Sequence, residues 1–376
     1  MARLSFRSVD EAFGDAVEQG VFPGAAVLAA KAGRIVLEDV YGFRSSVTES
    51  ERMQTGDVFD VASLTKPLAT TTALMVLVGE RKVALDDPIS KFVPAAVSPQ
   101  TRKVSLRQLL AHTSGLPAWR PYYQEVMAME RAGIKGFVRS HEAKKYVLER
   151  VLNEQLVSLP GTQGVYSDLG FILLGAIVEL VGGCALDQYC GQKIFDPLGL
   201  ESTFFVDLSV DRLSRRTGTI FVPTQECPWR KDVLRGEVDD DNAYAMGGIA
   251  GHAGLFSSLH DVHKFLVCLR DCYLGKDGFL QAQVVREFLA RDKAVEGWTR
   301  ALGWDTPSAE GSSSGKYFSP TAVGHLGFTG TSIWWDLEQD CHVILLSNRV
   351  HPTRNNDKIR AFRPYIHDLI MERLLR

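Results

Sequence analysis

Six cysteines in 376 residues, none of them spaced as Cys-x-x-Cys, give this chain no signature of a structural zinc site. A chain this long does not need disulfides to hold a core, so Cys184, Cys190, Cys227, Cys268, Cys272 and Cys341 read as reduced, mostly buried thiols. Long apolar runs are missing too, which excludes a membrane-spanning helix. Val21 to Ala30 comes nearest, but Pro23 and Gly24 interrupt it and Lys31 closes it, as in a strand. The first ten residues lack the apolar core of a secretion signal. The chain therefore reads as cytoplasmic, or periplasmic if a signal peptide has been removed. A net charge of −3 leaves no excess of either sign to attract nucleic acid or an anionic membrane. No internal repeat occurs, and only residues 308–316 are of low complexity.

Two further absences narrow the chemistry. No glycine-rich turn joins an apolar strand to a helix in the order a dinucleotide site requires. His252, His260 and His263 lie close in sequence, but no His-Glu-x-x-His or cysteine cluster supports a metal site. No metal and no cofactor are expected.

Ser63-Leu64-Thr65-Lys66 opens a helical pattern that runs to Gly79. Positions three apart share a helix face, so the hydroxyl and the amine point into one space. Pro67 falls in the first turn, where few intrahelical hydrogen bonds can be lost. Ser63 then stands at a positive helix end, among backbone N–H groups able to stabilise an oxyanion. A second Ser-x-x-Lys, Ser313 to Lys316, lies in a Gly/Ser loop with no helix to aim it.

Tyr166-Ser167-Asp168 precedes an apolar helix. Tyr166 is a proton carrier if an ammonium lies nearby, or simply a packing residue beside a helix cap. Gly324-His325-Leu326-Gly327-Phe328 reads as a strand whose glycines mark a bulge or the close approach of a ligand. His325 either faces that ligand or is a hydrogen-bonded histidine at a sheet edge. The small residues from Met246 to Ser257 suit tightly packed backbone. His112, in a turn-rich loop, reads as the residue holding that loop together.

A helix near Arg7–Val17, strands at 24–30 and 34–41, one strand at 324–336 with its hairpin partner at 341–347, and a closing helix at 359–375 complete the pattern. Between them the chain is mainly helical. The fold class is α+β: an antiparallel sheet flanked by terminal helices, with a large inserted helical region. Residues 1–85 with 290–376 form the sheet domain and 86–289 the helical one, the site lying in the cleft between them.

The three motifs stand in the order and spacing of the penicillin-recognising serine hydrolases, and the chain resembles their class C β-lactamase and esterase branch. Flanking stretches such as Leu109–Leu116, Pro160-Gly161-Thr162, Phe195–Leu200 and Ala253–Ser258 extend the resemblance over nearly the whole chain. It implies a β-lactamase/transpeptidase-like fold and an acyl-enzyme on Ser63. Lys66 and Tyr166 would be the proton-handling groups; burial can lower the amine enough to take the serine proton, and which of the two takes it first is left open by the sequence. The Ser63 and Phe328 amides would form the oxyanion hole, and Asp168, His325, Gly327 and Phe328 would bind substrate.

Two positions depart from the pattern. Asp168 stands where many relatives have Asn, and His325 where β-lactamases and peptidases usually have Lys. Both changes weaken recognition of a carboxylate-bearing amide and leave acylation intact. The implied activity is that of a serine hydrolase on a small-molecule ester or peptide-like amide. The alternatives are a catalytically weak penicillin-binding scaffold, which would release at most one equivalent of product, and a true β-lactamase. Oligomeric state is not legible.

Overall fold

Both ends of the chain meet in one sheet. The computed structural model describes residues 6–46, 51–93, 98–210, 218–276 and 278–376. Of the N-terminal stretch read above for a leader, residues 1–5 lie outside them. Helix α1 (Arg7–Glu18) buries Val9, Ala12, Phe13 and Ala16 along one stripe. Strands β1 (Gly24–Lys31) and β2 (Arg34–Gly42) follow as a hairpin. Ala32 and Gly33 turn it with φ of 50° and 76°, the left-handed geometry that matches strand twist.

After β3 (Phe59–Asp60) the chain passes through a 3₁₀ turn, Ala62–Leu64, and a π-helical stretch, Lys66–Thr71. Only then does it settle into α2 (Thr72–Gly79). The expected helix is present, but its first two turns are irregular.

Next come α3 (Leu106–Leu110), α4 (Tyr122–Arg131), α5 (His141–Leu152), α6 (Asp168–Gly182) and α7 (Leu186–Cys190). Ser105 with Gln108, Ser140 and Ser167 cap α3, α5 and α6. Short strands β4 (Phe204–Phe205), β5 (Glu226–Cys227) and β6 (Asp232–Val233) lead to α8 (Asp241–Ala245) and β7 (Leu255–Ser257). Then come α9 (Leu259–Tyr273), capped by Ser258, and α10 (Ala282–Leu289). Strand β7 lies between β3 and β4.

The chain closes with β8 (Val323–Leu326), β9 (Ser332–Asp336), β10 (Cys341–Ser347) and α11 (Ile359–Leu375). The main sheet is antiparallel in the order β2-β1-β10-β9-β8, with Ala25 opposite Ser347 and Leu28 opposite Ile344. Side chains alternate across it. Ala25, Val27 and Ala29 pack with α1 and α11, whereas Ala26, Leu28 and Ala30 join the core of the helical body. Burial on both faces is why β1 reads as a continuous apolar run.

The single strand expected over 324–336 is corrected to two strands joined by a turn at 327–331. The Thr329 and Thr331 hydroxyls donate to the Asp60 and Val61 carbonyls at 2.8 and 3.1 Å, so these β-branched residues fasten a turn and do not extend a ladder. Cys190, Cys227, Cys272 and Cys341 are buried, and Cys184 and Cys268 are partly so. No single helix among the described residues is long and apolar enough to cross a membrane.

Several histidines are buried neutral. His342 shares a 2.9 Å hydrogen bond with His263 between α9 and β10, and burial first, then His263, push its pKa down to about 3. Burial also lowers His367 to about 4. Unfolded histidines titrate near ~6.5, so below that pH the unfolded chain binds more protons and the fold loses stability until the folded values are reached. Each such histidine is expected to contribute a slope of about 1.4 kcal/mol per pH unit. Urea unfolding at pH 7.5 and 5 measures it, and His342→Gln should flatten the dependence. An unchanged slope in that variant would remove His342 from the explanation.

Candidate active site

Ser63 sits on a strained turn. Ala62 has φ of 48°, uncommon for any residue but glycine, and its amide donates to Asp60 Oδ1 at 2.8 Å. Thr65 Oγ1 donates to the Ala62 carbonyl at 2.6 Å and accepts from the Leu255 amide at 3.1 Å, tying the turn to β7. The π-helical stretch that follows carries Lys66 inward, and the side chain is fully buried.

Lys66 Nζ meets three acceptors. It donates to Ser63 Oγ at 2.9 Å and to the His252 carbonyl at 3.1 Å, and it lies 2.8 Å from Asp168 Oδ1. The His252 carbonyl and the Asp168 carboxylate can only accept, whereas the Ser63 hydroxyl can accept from an ammonium or donate to a neutral amine. Burial presses the amine down, but the Asp168 carboxylate and Tyr166 outweigh it, and its pKa stands above the ordinary value. Burial, which could have turned Lys66 into a base, is thus outweighed here. Asp168, at the first position of α6, is engaged with the amine.

Tyr166 stands over the pair, with Lys66 Nζ 4.9 Å from its ring centroid. The Arg300 guanidinium lies 5.1 Å from the same centroid, and the His112 ring packs 4.5 Å away. His112 Nδ1 accepts from the Ser167 amide at 3.0 Å, so this histidine holds the loop that carries Tyr166. His325 Nδ1 donates to the Leu326 carbonyl at 2.9 Å. That bond fixes the tautomer and leaves Nε2 a buried acceptor without a partner among the described residues. Burial, with Lys66 and Arg300 nearby, holds its pKa well below the ordinary value. His325 therefore offers the cleft a lone pair, not a charge.

The Gly327–Thr331 turn approaches closely the turn that carries Ser63. A Cβ on Gly327 would lie 1.9 Å from Thr331 Oγ1 and 2.6 Å from the Val61 carbonyl oxygen. The Phe328 amide has no hydrogen-bond partner among the described residues, and its ring is half exposed. Ser63, Tyr166, Asp168, His325, Gly327 and Phe328 line one cavity of about 540 Å³, with Lys66 buried behind Ser63. The three motifs thus converge. The β-lactamase family model matches residues 9–364.

This chain belongs to the β-lactamase family.

Within the family it is 32% identical, over 92% of its length and 81% of the relative's, to an N-acetylmuramyl-L-alanine amidase of Bacillus subtilis. It is 31% identical, over 90% and 81% of the two chains, to a Salmonella paratyphi A protein provisionally named D-alanyl-D-alanine carboxypeptidase. Among solved structures, EstCE1, a hydrolase with promiscuous acyltransferase activity, aligns with a TM-score of 0.71 at 22% identity, over 95% of this chain and 98% of that one. The octameric penicillin-binding protein homologue of Pyrococcus abyssi gives 0.72 at 22%, over 97% and 77%. These two share the fold. The family and its relatives make the chain an enzyme, a serine hydrolase of the β-lactamase superfamily.

Several residues of this β-lactamase-family cleft carried no usable sequence signal. His252, considered above only as a metal ligand, presents its carbonyl to Lys66 while its ring meets Asp240 at 3.0 Å. Burial opposes ionisation of Asp240, but His252 and the Ala243 amide outweigh it, and the carboxyl is held well below the usual range. Asp60, the anchor of the Ala62 turn, is pushed up to about 7 by burial and by Asp239. Arg300, Arg349, Arg354, Arg360 and Arg363 also face the cavity. Arg354 pairs with Asp239 and Asp241, whereas Arg349, Arg360 and Arg363 have no carboxylate partner among the described residues.

Proposed function

We propose that this hydrolase cleaves the terminal amide of a peptide-like substrate bearing a carboxylate beside the scissile bond, by acylating Ser63. The observation that carries the acylation is the 2.9 Å contact between Ser63 Oγ and the Lys66 amine held charged by Asp168. An ammonium cannot accept the serine proton, so Tyr166 takes that role. The role requires the tyrosine oxygen as an anion, and the Lys66 amine lies 4.9 Å from the ring centroid. As the Ser63 Oγ–carbon bond forms, the serine proton passes to the Tyr166 oxygen. Tyr166 then returns it to the departing nitrogen, and water attack on the ester frees Ser63. The Ser63 and Phe328 amides face the oxyanion.

The names of the relatives support an amide or peptide-like substrate. So do the guanidiniums without acid partners: Arg360, exposed at the cavity, can supply the cation that neutral His325 does not. Intact mass spectrometry with a fluorophosphonate is expected to show one adduct, lost in Ser63→Ala. Turnover of a D-alanyl-D-alanine peptide should exceed that of its methyl ester, which lacks the carboxylate. An adduct on another serine would overturn the mechanism. Equal turnover of the two peptides would overturn the carboxylate and return the reading to a simple ester or amide.

A further inference from the structure

Arg363 is a cation in an unfavourable place. It lies in α11, is 6% exposed, and pairs with no carboxylate among the described residues. Burial, then Arg349 and Arg360, press its pKa down to about 9. Burying an unpaired charge is expensive, and a neutral residue could fill the same space at less cost. What the guanidinium holds is the backbone of the turn beside Ser63. One nitrogen donates to the Gly327 carbonyl at 2.7 Å and to the Thr331 carbonyl at 2.9 Å.

The Gly327 carbonyl and the Phe328 amide belong to one peptide group. In a trans peptide these two bonds point in opposite directions, and the group is rigid. A donor that fixes the carbonyl therefore also aims the N–H. A charged donor adds a second effect, because it draws electron density toward the oxygen and leaves the N–H a stronger donor. The rest of the turn is held as firmly. Arg349 Nε donates to the Phe328 carbonyl at 2.7 Å, and the Gly327 amide donates to the Thr331 carbonyl at 2.8 Å. The Phe328 N–H is left without a partner among the described residues, one peptide away from the closest approach to Val61.

We infer that Arg363 is a positioning residue that aims and polarises the Gly327–Phe328 peptide, so that its charge strengthens the oxyanion hole without touching substrate. This rests on the functional reading above, in which the Phe328 amide faces the oxyanion. The effect belongs to the transition state: the ground-state carbonyl carries little charge, whereas the tetrahedral oxygen carries nearly a full one.

The test compares Arg363→Gln, which can still donate to the Gly327 carbonyl but is neutral, with Arg363→Lys, which keeps the charge. On an activated nitrophenyl ester, Arg363→Gln should lower kcat by about tenfold with KM within about twofold, less than the 10²–10³ expected for losing an oxyanion donor outright. Affinity for a boronic acid, whose tetrahedral adduct on Ser63 places an oxygen in the hole, should fall by the same factor. Arg363→Lys should recover most of both. Equal boronate affinity in wild type and Arg363→Gln, or a loss that Lys does not recover at unchanged thermal stability, would overturn the role of the charge. Failure of the wild-type protein to form any adduct at Ser63 would instead sink the functional reading. The Phe328 amide proton shift, which needs no turnover, should move upfield in Arg363→Gln and not in Arg363→Lys; the absence of that difference also overturns the inference.

Discussion

Tyr166→Phe is expected to slow acylation of Ser63 by about 10²–10⁴-fold, the range for a removed general acid–base group. Lys66 cannot substitute while Asp168 holds it as an ammonium. The size of the loss should therefore depend on Asp168. In Asp168→Asn the carboxylate is gone, burial of the amine is opposed by Tyr166 alone, and Lys66 titrates at lower pH. A neutral amine 2.9 Å from Ser63 Oγ can take the serine proton itself. Tyr166→Phe should thus be far less damaging in the Asp168→Asn background than alone. The measurement is a double-mutant cycle on burst-phase acylation by a nitrophenyl ester, with the alkaline limb of the pH–rate profile followed in each variant. Additive losses and an unmoved limb would mean that Asp168 does not set the charge of Lys66.

A single methyl group should do comparable harm at Gly327. The added Cβ meets Thr331 Oγ1 at 1.9 Å and the backbone oxygen of Val61 at 2.6 Å. The hydroxyl could rotate away, but the carbonyl belongs to the turn that carries Ser63 and has little freedom. The Gly327–Thr331 turn must then lift off the nucleophile, carrying the Phe328 amide with it. Gly327→Ala is expected to lower kcat by about 10²–10³, as when one oxyanion donor is removed, with the fold kept. Steady-state kinetics with a circular dichroism control would check it. Near-normal kcat would show that the Phe328 amide contributes nothing to the hole.

The chemistry was more legible in the sequence than its electrostatics. Ser63 and Lys66 announce themselves because a three-residue spacing at a helix start can be read without the rest of the fold. The terminal helices and the β1–β2 hairpin show equally well, since their periodicities are local. The charge of the Lys66 amine was not legible for a physical reason: it depends on Asp168, about a hundred positions away in sequence, and on a backbone carbonyl that any residue at 252 would supply. Arg349 and Arg363 were invisible because their partners are carbonyls, which leave no trace in side-chain chemistry. The strand expected over 324–336 failed where Thr329 and Thr331, good strand formers, spend their hydroxyls on Asp60 and Val61.

The sheet order places β10 directly beside β1, with β10 and α11 supplied by the last part of the chain. During synthesis the first hairpin leaves the ribosome long before the strand that must lie next to it exists. Until then the inner edge of β1, apolar on both faces, stays open to any other extended segment. The guanidiniums of Arg349 and Arg363 are made later still, so the turn beside Ser63 is completed only once α11 has docked. The turn that faces Ser63 is therefore among the last parts of the fold to be assembled.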